Sequence, residues 1–277
     1  MKHNEMEERM KTYYEQIFNY KLMRRVPVVI RIDGRAFHTF TRGFRKPFDP
    51  LLMETMQRTM KYLCRNIQGC VFGYTQSDEI SLVLIDYKTL KSSAWFDYRI
   101  EKICSNSAAM ATLEFNRVFA RLVDEYSKSK DVDEKVLSSY RKALKCGAIF
   151  DSRTFNIPQS EVANYIYSRQ SDASRNSVQA LGQSEFSHSD LQNKSSSDIQ
   201  DMLHEQKDIN WNDYPIPCKR GSACHKNDEG KWFVDLEMPI IRKTEEVDYR
   251  QYVEKWVYPS EENTDMQTNT PPHGSEN

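Results

Sequence analysis

The sequence lacks three things: a long apolar run, paired cysteines and an excess of charge of either sign. No stretch approaches the ~18 consecutive apolar residues that a membrane-crossing helix needs, so no membrane span is expected. The first residues, Met1 to Lys11, are charged and mixed in sign rather than basic and then apolar. They do not read as a signal peptide, and the expected location is cytoplasmic. Six cysteines (Cys64, Cys70, Cys104, Cys146, Cys218 and Cys224) are scattered without a CxxC pair. Cys218, Cys224 and His225 come nearest to a ligand cluster, but their spacing fits no common zinc motif. Reduced, mostly buried thiols are expected instead. A net charge of −1 excludes a protein that coats nucleic acid through bulk electrostatics. It leaves room for a local phosphate site among Arg42, Arg45 and Lys46, Arg24 and Arg25, or Lys219 and Arg220. Each of these groups alone also reads as solvated surface.

What is present is an ordinary globular composition, 39% hydrophobic and 29% charged over 277 residues, enough for one substantial core. Met6, Met10, Tyr13, Ile17 and Tyr20 predict an amphipathic helix over 5–23. After Pro27, the β-branched run Val28 to Ile32 predicts a buried strand that stops at Asp33-Gly34. A loop over 39–47 leads to a helix over about 50–67. Strands are expected over 70–75 and 80–85, joined by the polar turn Gln76-Ser77-Asp78-Glu79. A long helix over 95–122, a charged helix tail and excursion over 123–145 and a fourth strand over 148–157 follow. The order strand, helix, strand, strand, helix, strand is the split βαβ, ferredoxin-like unit, an α+β palm-like domain. A helix over 159–182, a mobile Ser-, Gln- and Asn-rich loop near 182–199, a short helix and two short strands complete it. Residues 1–258 are expected to form a single catalytic domain and 259–277 a disordered tail.

In that topology the first strand is central and the third lies antiparallel beside it. The end of the first strand then meets the hairpin that joins the second and third. Asp33, Asp78 and Glu79 are thus expected at one sheet edge, where unpaired carboxylates repel unless a divalent cation is present. Oxygen ligands of this kind suit magnesium, and two such ions ~4 Å apart serve phosphoryl transfer. Gly34 permits close backbone approach, and Lys46 on the following loop offers a charge for a triphosphate. Asp-Gly after a strand is also a common turn, and Ser-Asp-Glu is also ordinary hairpin chemistry. The expected convergence of the two segments is what favours a metal site.

The stretches Arg31-Ile-Asp-Gly-Arg-Ala-Phe-His38, Lys46-Pro47, Tyr74-Thr-Gln-Ser-Asp-Glu79, Phe150-Asp-Ser-Arg153 and Arg169-Gln-Ser-Asp172 with Asn176 occur in this order. Together they resemble the tRNA-histidine guanylyltransferase superfamily over roughly residues 25–225. The resemblance implies a nucleotidyltransferase that extends RNA in the 3′–5′ direction. Such an enzyme activates a 5′-monophosphate with ATP or GTP and lets the 3′-hydroxyl of the incoming nucleotide attack it. It implies two Mg2+ ions held by Asp33, Asp78 and the Gly34 backbone, with Glu79 in support. Arg31, Arg35, His38, Lys46 and Ser77 are then expected at the nucleotide. Arg99, Lys102, Arg153, Arg169, Asp172 and Asn176 are expected near a second triphosphate or the RNA end. From the residues alone, His38 also reads as a histidine packed under its loop, and Arg99 with Lys102 as a solvated helix face. The implied partners are a tRNA or tRNA-like 5′ end, nucleoside triphosphates and further copies of the chain in a tetramer.

One segment departs from the resembled pattern. The guanylyltransferases proper carry His-Ile-Asn-x-Leu-Tyr-Asn-Thr where this chain has Ser174, Arg175, Asn176, Ser177, Val178, Gln179, Ala180 and Leu181, and only Asn176 matches. That resembles the guanylyltransferase-like proteins of template-dependent tRNA 5′-end repair, and it speaks against a single untemplated G as the product. A nucleotidyl cyclase on the same scaffold and a non-catalytic RNA-binding module are the other readings. The module is disfavoured, because Ile80 to Ile85 offers no aromatic for base stacking.

Overall fold

The computed structural model describes residues 3–17 and 19–258. The expected tail over 259–277 lies outside the described residues. The principal elements are α1 (His3–Met10), β1 (Val28–Gly34), α2 (Pro50–Asn66), β2 (Cys70–Gln76), β3 (Glu79–Leu84), α3 (Ile100–Ser127) and α4 (Glu134–Cys146). They continue with β4 (Phe150–Asn156), α5 (Val162–Glu185), α6 (Ser196–Lys207), β5 (Ser222–Lys226), β6 (Trp232–Asp235) and α7 (Gln251–Val257). The strands form one antiparallel sheet in the order β4-β1-β3-β2-β5-β6. Its first four members are the ferredoxin-like palm that the sequence predicts, and β5 and β6 widen it.

The central strands are apolar runs because helices cover both faces of the sheet. Val28, Ile30, Ile32, Ile80, Leu82 and Leu84 share one core with Met56, Met60 and Leu63 of α2 and Ile103, Phe115 and Phe119 of α3. Phe72, Tyr74 and Val83 on the opposite face share another with Val162 and Ile166 of α5 and Val253 and Val257 of α7. Asp49 starts α2 by accepting the Leu52 amide at 2.9 Å, with Pro50 in the first turn. Its other oxygen takes the Tyr140 hydroxyl at 2.7 Å, which ties α4 to the same corner.

Three expectations need correction. The N-terminal helix ends by Glu15 rather than reaching residue 23, and Met6, Tyr13 and Ile17 are exposed, so their spacing marks no buried stripe. Residues 123–145 open with the expected helix tail but hold a second helix where an excursion is expected. The long helix runs on to Ser127, and α4 then begins at Asp133, whose carboxylate caps it, and buries Val136, Leu137, Tyr140 and Ala143. The 182–199 segment holds secondary structure. Ser187 with Asp190 and Ser195 with Asp198 form two reciprocal capping boxes, which start the short helix His188–Leu191 and α6. Leu191, Ile199 and Leu203 from these helices pack on Val178 and Leu181 of α5.

Candidate active site

Register fixes the centre of the site. Asp33 sits opposite Glu79 on β3, and the Gly34 amide donates to the Asp78 carbonyl at 3.1 Å. The turn between β2 and β3 is only Ser77-Asp78, and Ser77 adopts a left-handed φ of 49°. A non-glycine residue there stores about 1 kcal/mol of strain, as turns at working sites often do. The Ser77 hydroxyl donates to Asp78 Oδ1 at 3.0 Å. Burial pushes the Asp78 carboxyl above its usual range. The Ser77 bond opposes that shift, and repulsion from Asp33 and Glu79 adds to it. Asp33 is likewise raised, first by burial, against the attraction of Arg31 and with the repulsion of Glu79 and Asp151. Among the described residues its side chain makes no hydrogen bond or ion pair. At Gly34 an added Cβ would lie 2.2 Å from the Phe37 ring, so the turn out of β1 depends on glycine for packing as well.

Glu79 is placed differently from Asp33 and Asp78. Only 4% of its side chain is exposed, and its carboxylate is gripped from two elements. Arg169 on α5 donates Nε to Oε1 at 2.8 Å and a terminal nitrogen to Oε2 at 2.6 Å, and Arg31 on β1 reaches Oε2 at 2.8 Å. The remaining terminal nitrogen of Arg169 pairs with Asp172, which also pairs with Arg175. Arg31, Arg169 and Asp172 therefore form a lock on Glu79. Among the described residues no three His, Cys, Asp or Glu side chains gather as a metal cluster. What converges is the Asp33–Asp78 pair with the Gly34 and Asp78 backbone. That donor set fits magnesium, which takes one or two carboxylates and leaves its other positions to water and phosphate.

A cleft of about 370 Å³ belongs to another part of the sheet; beside Asp78 the cavity is about 510 Å³, and it is lined by Gly34, His38, Lys46, Ser77 and Asp78. Five expected residues thus line one cavity, and of these His38 and Lys46 are exposed to solvent. An adjoining cavity of about 170 Å³ shares Pro47, Asp49, Leu52, Ser77 and Ala180 and adds Phe48, Met53, Ala173, Asn176 and Cys218. Ser77 and Asn176 are expected at the substrate from the sequence, but the apolar walls around them are not; the trace of those walls is Ala173 and Ala180 recurring with Asn176 at helical spacing along α5.

The other expected residues lie elsewhere. Arg35 faces a separate cavity with Arg42 and Lys142. Arg153 stands opposite Arg31 on β4, exposed, with Asp151 at 3.8 Å. The Phe150 amide donates to Thr112, which sets that part of α3 level with Gly34. Arg99 and Lys102 precede Thr112 by about three turns and lie toward the Val28 end of the sheet, away from the cleft.

The tRNAHis guanylyltransferase family model matches residues 7–158. A probable tRNA(His) guanylyltransferase of Dictyostelium discoideum is 27% identical over 230 residues, 77% of this chain and 82% of that protein. A bacterial tRNA(His) guanylyltransferase (Thg1)-like protein solved in complex with ATP is 42% identical with a TM-score of 0.78, covering 91% of this chain and 99% of that one. A bacterial protein of the same description in complex with GTP is 39% identical with a TM-score of 0.72, covering 92% and 99%. With the antiparallel palm, these matches define a nucleotidyltransferase. The chain belongs to the tRNAHis guanylyltransferase family. Among the described residues no helix is long and apolar enough to cross a membrane.

Proposed function

We propose that this enzyme adds nucleotides to the 5′ end of tRNA or tRNA-like RNA and selects them by pairing with the opposing strand. The observation that carries the reading is the cleft that Gly34, His38, Lys46, Ser77 and Asp78 line together. In the first step a 5′-phosphate oxygen of the RNA attacks the α-phosphorus of ATP or GTP, and pyrophosphate leaves. In the second, the 3′-hydroxyl of the incoming nucleotide attacks the activated 5′-phosphate, and the nucleoside monophosphate leaves. Asp33, Asp78 and the Gly34 carbonyl would hold the magnesium, which when bound supplies charge neutralisation for the phosphates. Lys46 and His38 orient the triphosphate across the cleft, and the Ser77 hydroxyl steadies Asp78. Testing is direct: incubated with magnesium, NTPs and a 5′-monophosphorylated tRNA lacking its first nucleotide, the protein should give a product longer at the 5′ end. RNA of unchanged length would reject the proposal.

The adjoining chamber supports a permissive activating nucleotide. Its walls are mostly apolar, with Asn176 and Gln76 as the side-chain amides. Its one carboxylate, Asp49, is already held by the Leu52 and Arg45 amides and the Tyr140 hydroxyl. With Asp49 so engaged, base contacts fall to the Asn176 and Gln76 amides, which both accept and donate and so suit either purine. The ATP and GTP complexes of the bacterial relatives agree with a chamber that takes either base. For the assembly, the tetramer implied by the resemblance is retained, and exposed Met6, Tyr13, Tyr14 and Ile17 give it an apolar surface to cover.

Lys46→Ala should weaken activation of 5′-monophosphorylated RNA by roughly 10- to 100-fold, the worth of one charged hydrogen bond. Its melting temperature should not change, because Lys46 is exposed and makes no ion pair with the described residues. Activation at the parent rate would remove Lys46 from the phosphate site.

A further inference from the structure

At the end of the sheet remote from the catalytic turn, the starts of β2 and β6 and the ends of β3 and β5 surround a cavity of about 370 Å³. Trp232, Trp256 and Tyr258 supply its aromatic surface, and Lys88, Lys226 and Lys255 its charge. Lys226 Nζ lies 5.6 Å from the centroid of the Trp232 ring, and Lys255 Nζ lies 5.1 Å from that of Trp256. No acidic side chain lines the cavity, and none of the three lysines forms an ion pair with a described residue. In a chain of net charge −1 this is a concentrated cationic spot. Its size falls within the ordinary range of ligand sites.

We propose that this cavity binds an unpaired nucleotide of an RNA strand, its base against the indoles of Trp232 and Trp256 and its phosphates at the lysines. Each feature selects part of that ligand. The indoles of Trp232 and Trp256 are half-buried, each beneath a lysine ammonium that can swing to a phosphate, and their open parts suit a planar base, which stacks whatever its identity. A simple anion has no use for the indoles, an apolar molecule has no use for three ammonium groups, and a cation is repelled. The choice of RNA over a free nucleotide rests on the 5′-end addition proposed above. β2 spans Cys70–Gln76, so the cavity lies roughly 20 Å from the Ser77-Asp78 turn. An RNA with its 5′ end in the cleft can therefore reach it with an unpaired segment, and the contact holds the substrate without touching the reacting atoms.

The test is a tryptophan-fluorescence titration of the full chain with a short unpaired oligoribonucleotide, in parallel with ATP, without added magnesium. The oligonucleotide should quench the fluorescence and bind more tightly than ATP. In the Lys226→Glu/Lys255→Glu variant, its affinity should fall about tenfold or more and the salt dependence should flatten by about 1.4 in log–log slope, the share of two phosphates on a single strand. Lys226→Gln/Lys255→Gln, with an unchanged melting temperature, should show an intermediate loss. Oligonucleotide binding of parental strength in both lysine variants would overturn the proposal, as would an equal loss of ATP affinity in them. Because the titration involves no nucleotide addition, a chain that extends RNA yet fails here refutes this site alone. A chain that binds here yet extends nothing refutes the proposed reaction alone.

Discussion

Asp78→Asn and Asp33→Asn should each abolish nucleotide addition while the fold persists. A bound divalent ion contributes several kcal/mol to phosphoryl transfer, and each ~1.4 kcal/mol is tenfold in rate, so a loss of roughly 10³-fold or more is expected. Stability should move the other way. Burial raises both carboxyls and repulsion from Glu79 adds to each, so their ionised forms weaken the folded state. A raised carboxyl contributes most at low pH, and its contribution is lost as pH rises through its folded pKa. Removing one charge at neutral pH should therefore leave the magnesium-free melting temperature unchanged or higher. The stabilisation that magnesium and nucleotide give the parent protein should disappear. Either variant retaining full activity would remove that carboxylate from the proposed metal site.

Glu79→Ala should act on the fold first. The substitution leaves Arg31 and Arg169 without their shared carboxylate next to a strand whose residues are all buried. Removing one partner of a buried ion pair costs about 3–5 kcal/mol. Typical domains have only about 5–15 kcal/mol in total, so urea denaturation should show a large loss. Glu79→Gln keeps the shape and one acceptor oxygen and should lose less. If Glu79→Gln instead keeps full stability and loses addition as completely as Asp78→Asn, the carboxylate belongs with the metal ligands and the lock is secondary.

The palm and the meeting of Asp33 with Asp78 were legible because their signals are local. A β-branched run closing on Asp-Gly and a polar four-residue turn between two apolar runs fix strand ends, and topology brings those ends together. The lock on Glu79 was only half visible. A carboxylate at the start of the buried run Glu79–Leu84 demands a partner, but nothing local identifies Arg169, ninety residues away. Helix α4 and the 182–199 helices carried readable signs that polar composition masked. Asp133 precedes a helical apolar spacing, and Ser187 and Ser195 each stand three residues before an aspartate. Arg99 and Lys102 were placed by resemblance without the direction of α3, which carries its first turn toward the Val28 end of the sheet.

The most direct test of the proposed activity uses tRNAs lacking the first nucleotide, identical except for the base opposite the gap. With magnesium and all four NTPs, the 5′ ends of the products are sequenced. A mismatched nucleotide leaves hydrogen-bonding groups unpaired at a cost of ~1–3 kcal/mol, so the added nucleotide should follow the opposing base through each change. Addition of G opposite every base would contradict template-directed repair and make this chain an untemplated guanylyltransferase.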